Sequence, residues 1–253
     1  MATLAAGMAA AGKIPFITSY AAFSPGRNYE QIRTTIALNN VPVKVMGMHA
    51  GVSVGPDGAT HQMLEDVGMM RMMPNMVVLV PADAEEAHKA VVAAATYDGP
   101  VYIRFGRSTT PVFTTSATPF TIGKALTLWE SEKPQVALIA AGPLAYEALL
   151  AAKQLAAEGI GSIVLNLGTV KPLDEETVLA AATKAGKVIV IEEHQAAGGA
   201  GGAVAELLAQ KVPMPMRFAA LHNTFGQSGD PQELLAHYGL TAAGIISLAH
   251  SFI

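Results

Sequence analysis

Short apolar runs rich in valine, isoleucine and leucine alternate with alanine-rich stretches of helical period along most of this chain. A strand covered on both faces reads as such a run, and a helix between successive strands makes them parallel. The pattern therefore confines the chain to layered α/β architecture. It occurs in two arrays. In the first, strands are expected at Ile14–Ser19, Val43–Met48, Val77–Val80 and Val101–Ile103, with helices including Tyr29–Leu38 and Ala84–Thr96. In the second, strands fit Val136–Ala140, Gly161–Leu165, Val188–Ile191 and Met216–Ala220, with helices at Leu144–Ala157, Glu175–Ala185 and Ala200–Gln210. A stretch rich in Thr, Ser and Pro, Ser108–Thr121, separates them. Two doubly wound, mainly parallel α/β/α domains follow, over residues 1–118 and 119–253. Helix-end signals agree. Asp83 with Glu86 forms a capping box, Asp174 precedes one helix that Gly186 can end, and Asp230-Pro231-Gln232-Glu233 opens another.

At 253 residues the chain can bury a sound core, and small apolar residues dominate it. A net charge of -4 provides no basic stripe, which argues against a nucleic-acid partner. The absence of cysteine excludes a disulfide framework, a thiol nucleophile and a thiolate metal site, in keeping with a cytoplasmic protein. No apolar run reaches the roughly 18 residues that would span a membrane. Met1–Gly12 is no signal peptide, since Lys13 follows its apolar stretch instead of preceding it. It reads as a helix apolar almost all round, like the middle of a buried helix whose beginning is missing.

The loop most difficult to explain as mere connection runs from His49 to Gln62, directly after an expected strand. Ligands bind at the carboxyl ends of strands in open α/β sheets. Gly51-Val52-Ser53-Val54-Gly55 matches a hydrolase nucleophile elbow, with Ser53 as nucleophile. An elbow needs a helix immediately after the serine, however, and Gly55-Pro56-Asp57-Gly58 is a turn. His49, Asp57 and His61 could instead ligate a metal, although their spacing matches no established signature. Each alone could merely satisfy the loop's own backbone. Together in one glycine-rich loop, they point to chemistry.

Elsewhere, Gly198-Gly199-Ala200-Gly201-Gly202 opens a helix after a strand but fails the dinucleotide fingerprint, so close helix–sheet packing is the expected reason for it. Glu192-Glu193-His194 could be a carboxylate pair but reads better as an exposed loop or a subunit contact, and the methionines of Met69–Met76 read as core filler.

Asp57-Gly58-Ala59-Thr60-His61-Gln62, followed by Arg71 and Pro74-Asn75-Met76, resembles the pyrimidine-binding domain of thiamine diphosphate enzymes, specifically transketolase. Pro81-Ala82-Asp83 and Asp98-Gly99-Pro100-Val101-Tyr102-Ile103-Arg104 extend the resemblance. So do Thr169-Val170-Lys171-Pro172-Leu173-Asp174, Glu192-Glu193-His194-Gln195 and Phe225-Gly226-Gln227-Ser228-Gly229. Covering nearly the whole chain, it is similar to the C-terminal subunit of a split transketolase, a pyrimidine-binding domain followed by a transketolase C-terminal domain. A deoxyxylulose-phosphate synthase, the nearer rival, would carry arginine in place of His49. The β subunit of a 2-oxoacid dehydrogenase would lack the Phe225–Gly229 run.

The resemblance implies transfer of a two-carbon ketol unit between phosphorylated sugars, with thiamine diphosphate in a shared site. It places Tyr20 and Phe23 around the aminopyrimidine, with Tyr20 standing where phenylalanine is commoner. It puts His49 and Arg107 on the sugar phosphate as cationic donors, and Asp57 on substrate hydroxyls. His61 falls beside the thiazolium, where it moves protons, work suited to histidine. No metal ligand lies in the chain. A magnesium-like divalent ion would be held by an N-terminal partner subunit, with this subunit also self-associating in a heterotetramer. The glutamate that activates the cofactor is expected just ahead of Met1, so the chain alone is expected to be inactive. A catalytically silent scaffold on the same fold is the remaining alternative, and it would have no use for His49, Asp57, His61 and Arg107.

Overall fold

Apolar runs closed by turns become the central strands of two sheets. In the computed structural model, which describes residues 1–253, β1 (Phe16–Tyr20), β2 (Lys44–Met48), β3 (Val77–Leu79) and β4 (Val101–Arg104) are mutually parallel in the order β1-β2-β4-β3. Tyr20 stands level with Met48, and Gly47 with Arg104, so the chain leaves three adjacent strands at nearly the same height. On one face lie α1 (Ala2–Ala10), α2 (Tyr29–Gln31, continued as a π-helical turn Ile32–Ala37) and α3 (Asp66–Arg71), over Val45, Val78 and Tyr102. On the other, α4 (Ala84–Thr96) sets Ala90 and Ala94 against Val77, Leu79, Val101 and Ile103. The period-two alternation of β4 thus decides which side chain enters which layer.

The second sheet contains β5 (Leu126–Glu130), β6 (Pro134–Ala140) and β7 (Gly161–Asn166). After the short β8 (Thr169–Lys171) it is continued by β9 (Val188–Gln195) and β10 (Met216–Leu221), in the order β10-β9-β6-β7-β5. Only β5 runs antiparallel to its neighbour. Along β6, Val136, Leu138 and Ala140 face α5 (Leu144–Ala157) and α9 (Ala242–His250), while Ala137 and Ile139 face α6 (Glu175–Ala185) and α7 (Ala200–Lys211). The anticipated caps form. Asp83, Asp174 and Asp230 accept the amides of Glu86, Thr177 and Glu233, the last opening α8 (Pro231–His237), and Gly186 ends α6 with φ of 74°.

The two arrays are less separate than the sequence suggests. β8 leaves the second half and pairs antiparallel with β3, at the edge of the first sheet. A single apolar cluster runs from Ile17 and Val45 through Met70, Met73 and Met76 to Val188 and Val190. Met70, Met73 and Met76 fill core space as expected, whereas Met72 faces outward, 69% exposed. α1 differs from its expected all-round burial: Ala2, Ala5, Ala6 and Ala9 form the packed stripe, and Leu4 faces outward, 71% exposed. No helix is long and apolar enough to cross a membrane.

Lys44 is fully buried at the start of β2, where its ammonium donates to the carbonyls of Tyr97 and Gly99 at 2.7 Å each. Burial, partly opposed by Asp98, lowers its pKa from 10.5 to about 8. The unfolded chain then binds more protons than the folded one between those values, so stability rises with pH in that window. Denaturant titration should show a gain of about 1 kcal/mol between about pH 8 and 9.5, and Lys44→Met should flatten it.

Candidate active site

The ends of β1, β2 and β4 bring Tyr20, His49 and Arg107 to one edge of the first sheet, the position favoured for ligands in this architecture. Tyr20 is the hub of a half-buried ring cluster. Its centroid lies 4.3 Å from that of His49, 5.7 Å from His61 and 5.9 Å from Phe23. His61 meets Phe23 edge-on at 5.3 Å, and the Arg27 guanidinium sits 4.8 Å from the Phe23 ring centre. Edge-on and tilted contacts are the arrangements aromatic quadrupoles prefer. They leave part of each ring open as an apolar wall for a flat ligand.

His49 adopts φ of 55°, a left-handed conformation unusual for this residue type. The flanking backbone holds it there: the Ala50 amide donates to Phe105, and the Gly51 amide to Met63. Its Nδ1 is buried without a partner. Burial and nearby Arg107 together lower its pKa, with Asp57 opposing them weakly. The charged form of the imidazole is thereby disfavoured. Arg107 is the cation here. Its Nη1 donates to Asp57 Oδ1 at 2.7 Å and to the Val54 carbonyl at 3.1 Å. That hydrogen bond, together with the guanidinium charge, keeps the Asp57 carboxyl below its ordinary range.

The His61 Nδ1 and Thr60 hydroxyl are 2.8 Å apart, and the His61 amide donates to Gly58 in a tight turn. His49, Asp57 and His61 consequently line one surface without converging on a common point, as metal ligands would have to. The site is a wall more than a pocket. A cleft of about 620 Å³ lies apart from it, beside Glu65, Gln195 and Phe225.

The nucleophile-elbow reading fails on contact. Ser53 is 8% exposed, and both its amide and its hydroxyl donate to the carboxylate of Glu193, the hydroxyl over 3.1 Å. No histidine is placed to activate it, and the short helical turn Val52–Asp57 is broken at Gly55. Glu192-Glu193-His194 is likewise no exposed loop, because all three are buried. Glu192 accepts the Ala200 and Gly201 amides at 2.8 Å, occupying the helix end where a phosphate would have to bind. A Cβ at Gly201 would strike Phe218, so the glycine run does serve close packing. His194 Nε2 accepts the Gly68 amide. Glu193 is pushed above the usual carboxyl range by burial, which Arg104 and Ser53 counteract.

Sequence reasoning also missed the cross-domain ties beneath the loop. Gln62 Nε2 donates to Val52, Gly55 and, from the second half, Gln227. Asp66, fully buried, accepts from Tyr102 Oη at 2.6 Å and Arg104 Nε at 2.9 Å, and Arg104 Nη2 reaches the Glu193 carbonyl at 2.7 Å. Charged residues closing an apolar strand, such as Arg104, were the available signal.

Comparison with known proteins adds a second line. The family described as "Transketolase, pyrimidine binding domain" matches residues 1–112, and "Transketolase, C-terminal domain" matches residues 123–245. The chain is 41% identical to the 6-deoxy-6-sulfo-D-fructose transketolase subunit SqwH of Clostridium sp. (strain MSTE9), over 99% of this chain and 77% of that one. It is 36% identical to one of the subunits of the apulose-4-phosphate transketolase of Phocaeicola vulgatus, over 99% and 80%. A 1-deoxy-D-xylulose-5-phosphate synthase also matches, but the chain spans only 40% of it. Among solved structures, one described as "Split gene transketolase, inactive beta4 tetramer" superposes with a TM-score of 0.91 at 40% identity, covering 98% of this chain and 79% of that one.

Proposed function

This chain belongs to the transketolase family, as a subunit composed of the pyrimidine-binding and C-terminal domains, and on that premise we propose that it forms one wall of a thiamine diphosphate site that a partner subunit completes. We draw the boundary between the two domains at residues 118 and 119, within the segment between the two family matches. The observation that carries the proposal is the open ring cluster of Tyr20, Phe23, His49 and His61 beside the Asp57–Arg107 pair. Half-buried rings fit a flat pyrimidine, and an arginine flanked by an orphaned imidazole nitrogen fits an oxyanion-bearing sugar.

When bound, the cofactor supplies the carbon nucleophile. The chain's own residues do the rest. Tyr20 and Phe23 hold the pyrimidine and exclude water from its face. Because Thr60 engages Nδ1 of His61, Nε2 is the nitrogen left for a substrate hydroxyl. There His61 takes the proton released as the donor's carbon–carbon bond breaks, and returns one to the acceptor's carbonyl oxygen as the new bond forms. Asp57, kept ionised by Arg107, accepts from sugar hydroxyls. Since Nη1 of Arg107 is committed to Asp57 and Val54, Nη2 and Nε remain for the sugar's terminal oxyanion, with His49 as a hydrogen-bonding neighbour. The divalent ion and the diphosphate contacts belong to the partner, and two copies of each subunit make the working assembly.

The substrates are sugars ending in a tetrahedral oxyanion. Phosphorylated sugars are the first to test and sulfonated ones the contrast, because the names of the relatives include both kinds. The test mixes this chain with its diphosphate-binding subunit, thiamine diphosphate and magnesium, and follows ketol transfer from a ketose phosphate to an aldose phosphate. Transfer is expected from the pair and not from this chain alone. In the pair, Arg107→Ala should raise KM for the phosphosugar about 10- to 100-fold, the loss of charge-assisted hydrogen bonds, while cofactor affinity stays unchanged. An unaltered KM would remove Arg107 from the sugar site.

A further inference from the structure

The buried carboxylate of Glu193 takes no part in the chemistry described above. It lies at the end of β9 in the second domain, yet its bonds are made with the loop of the first. Oε1 accepts the Ser53 amide and Oε2 accepts the Ser53 hydroxyl at 3.1 Å. A Cβ at Gly51 would collide with the same carboxylate, so the close approach requires glycine there. The Glu193 carbonyl is in turn fixed by Arg104, which Asp66 anchors. From the other side Ser108 Oγ donates to the Ser53 carbonyl at 3.0 Å, joining Ser53 to the segment that carries Arg107. Ser53 stands between His49 and Asp57 in one continuous loop. Every polar group of this residue is therefore held, and its strongest partner comes from another domain.

We propose that Glu193 is a positioning residue of the sugar site, clamping Ser53 so that His49, Asp57 and Arg107 keep their mutual geometry. The C-terminal domain then acts on substrate recognition without touching substrate. A carboxylate suits this role because one rigid group with two acceptors matches an amide and a hydroxyl on a single residue. Burial of the pair makes the geometry costly to leave, since unpaired acceptors in a dry site recover no water. Glutamine should largely replace it: its oxygen still accepts the Ser53 amide, and its nitrogen donates to the hydroxyl oxygen. Alanine cannot.

The inference rests on the sugar-site reading, and two measurements separate their fates. In the isolated chain, Glu193→Ala should speed hydrogen exchange in segment 49–62 about tenfold or more, with β1, β2 and β4 retaining wild-type protection, and Glu193→Gln should stay within about threefold of wild type. In a pair whose wild-type turnover has been established, Glu193→Ala should raise KM for the phosphosugar roughly tenfold, with kcat and cofactor affinity within about threefold, and Glu193→Gln should restore it. Should Glu193→Ala not fold, Ser53→Ala tests the same clamp, with an expected rise in KM of about two- to fivefold. Unchanged exchange in 49–62, or loosening spread evenly over the chain with KM unmoved, would overturn the proposal. A wild-type pair without turnover would count against the sugar-site reading and leave the exchange result to decide the clamp.

Discussion

Replacing His61 by alanine in the assembled enzyme should lower kcat/KM by about 10²- to 10⁴-fold, the usual contribution of one positioned acid–base group. Its ring is held edge-on to Phe23 and Tyr20, and the turn Gly58–Gln62 and the Thr60 hydroxyl fix its orientation. Alanine removes an imidazole placed against the ring cluster and near Asp57. The loss should fall mainly on kcat, because proton transfer is needed in the transition state more than in binding. Unchanged turnover would return this chain to the role of a scaffold, on which the four polar residues serve nothing.

The second large effect concerns stability. Arg104→Met should destabilise the chain by about 3–5 kcal/mol, because removing one partner of a buried ion pair strands the other. Asp66 has no exposed surface, and one of its oxygens already lacks a partner. Without Arg104 only Tyr102 would remain to it. The Glu193 carbonyl would lose its donor as well, so the damage would reach both domains. Chemical denaturation measures the loss, and Arg104→Met combined with Asp66→Leu should cost less than the sum of the single changes, since the two groups share one bond. A cost below about 1 kcal/mol for Arg104→Met would mean the pair contributes little and that solvent reaches Asp66.

Much of this architecture is legible in the sequence, for reasons that particular elements make clear. β6 and β9 are continuous apolar runs because both their faces are covered, and the caps Asp83, Asp174 and Asp230 are local hydrogen bonds that local sequence can encode. His49, Asp57 and His61 stand out because their loop follows a strand, where this class of fold places its ligands, whereas Arg107 is singled out only by the family resemblance. β8 could not. Three residues, Thr169–Lys171, carry no period, and their partner strand lies in the other half of the chain. The three polar residues Glu192, Glu193 and His194 suggest exposure for a similar reason. What buries them is the amide end of α7, Ser53 and Gly68, contacts that only the assembled tertiary structure supplies. Ser53 misled in the same way, since a motif of five residues says nothing of a carboxylate arriving from another domain.

The lowered pKa of His49 sharpens the site's chemistry. Burial and Arg107 hold its proton off, while Arg107 keeps Asp57 ionised. One arginine thus lowers the pKa of both neighbours, adding to burial at His49, and a bound oxyanion would favour the proton on His49 that Arg107 disfavours.

The central claim is that this wall is half of a cofactor site. Calorimetric titration of thiamine diphosphate with magnesium into this chain, into its diphosphate-binding subunit and into the pair tests it most directly. Saturable tight binding by the pair, well beyond what either subunit shows alone and weakened by Phe23→Ala in this chain, is the predicted result. Binding of equal strength to the partner alone and to the pair, indifferent to Phe23, would contradict it.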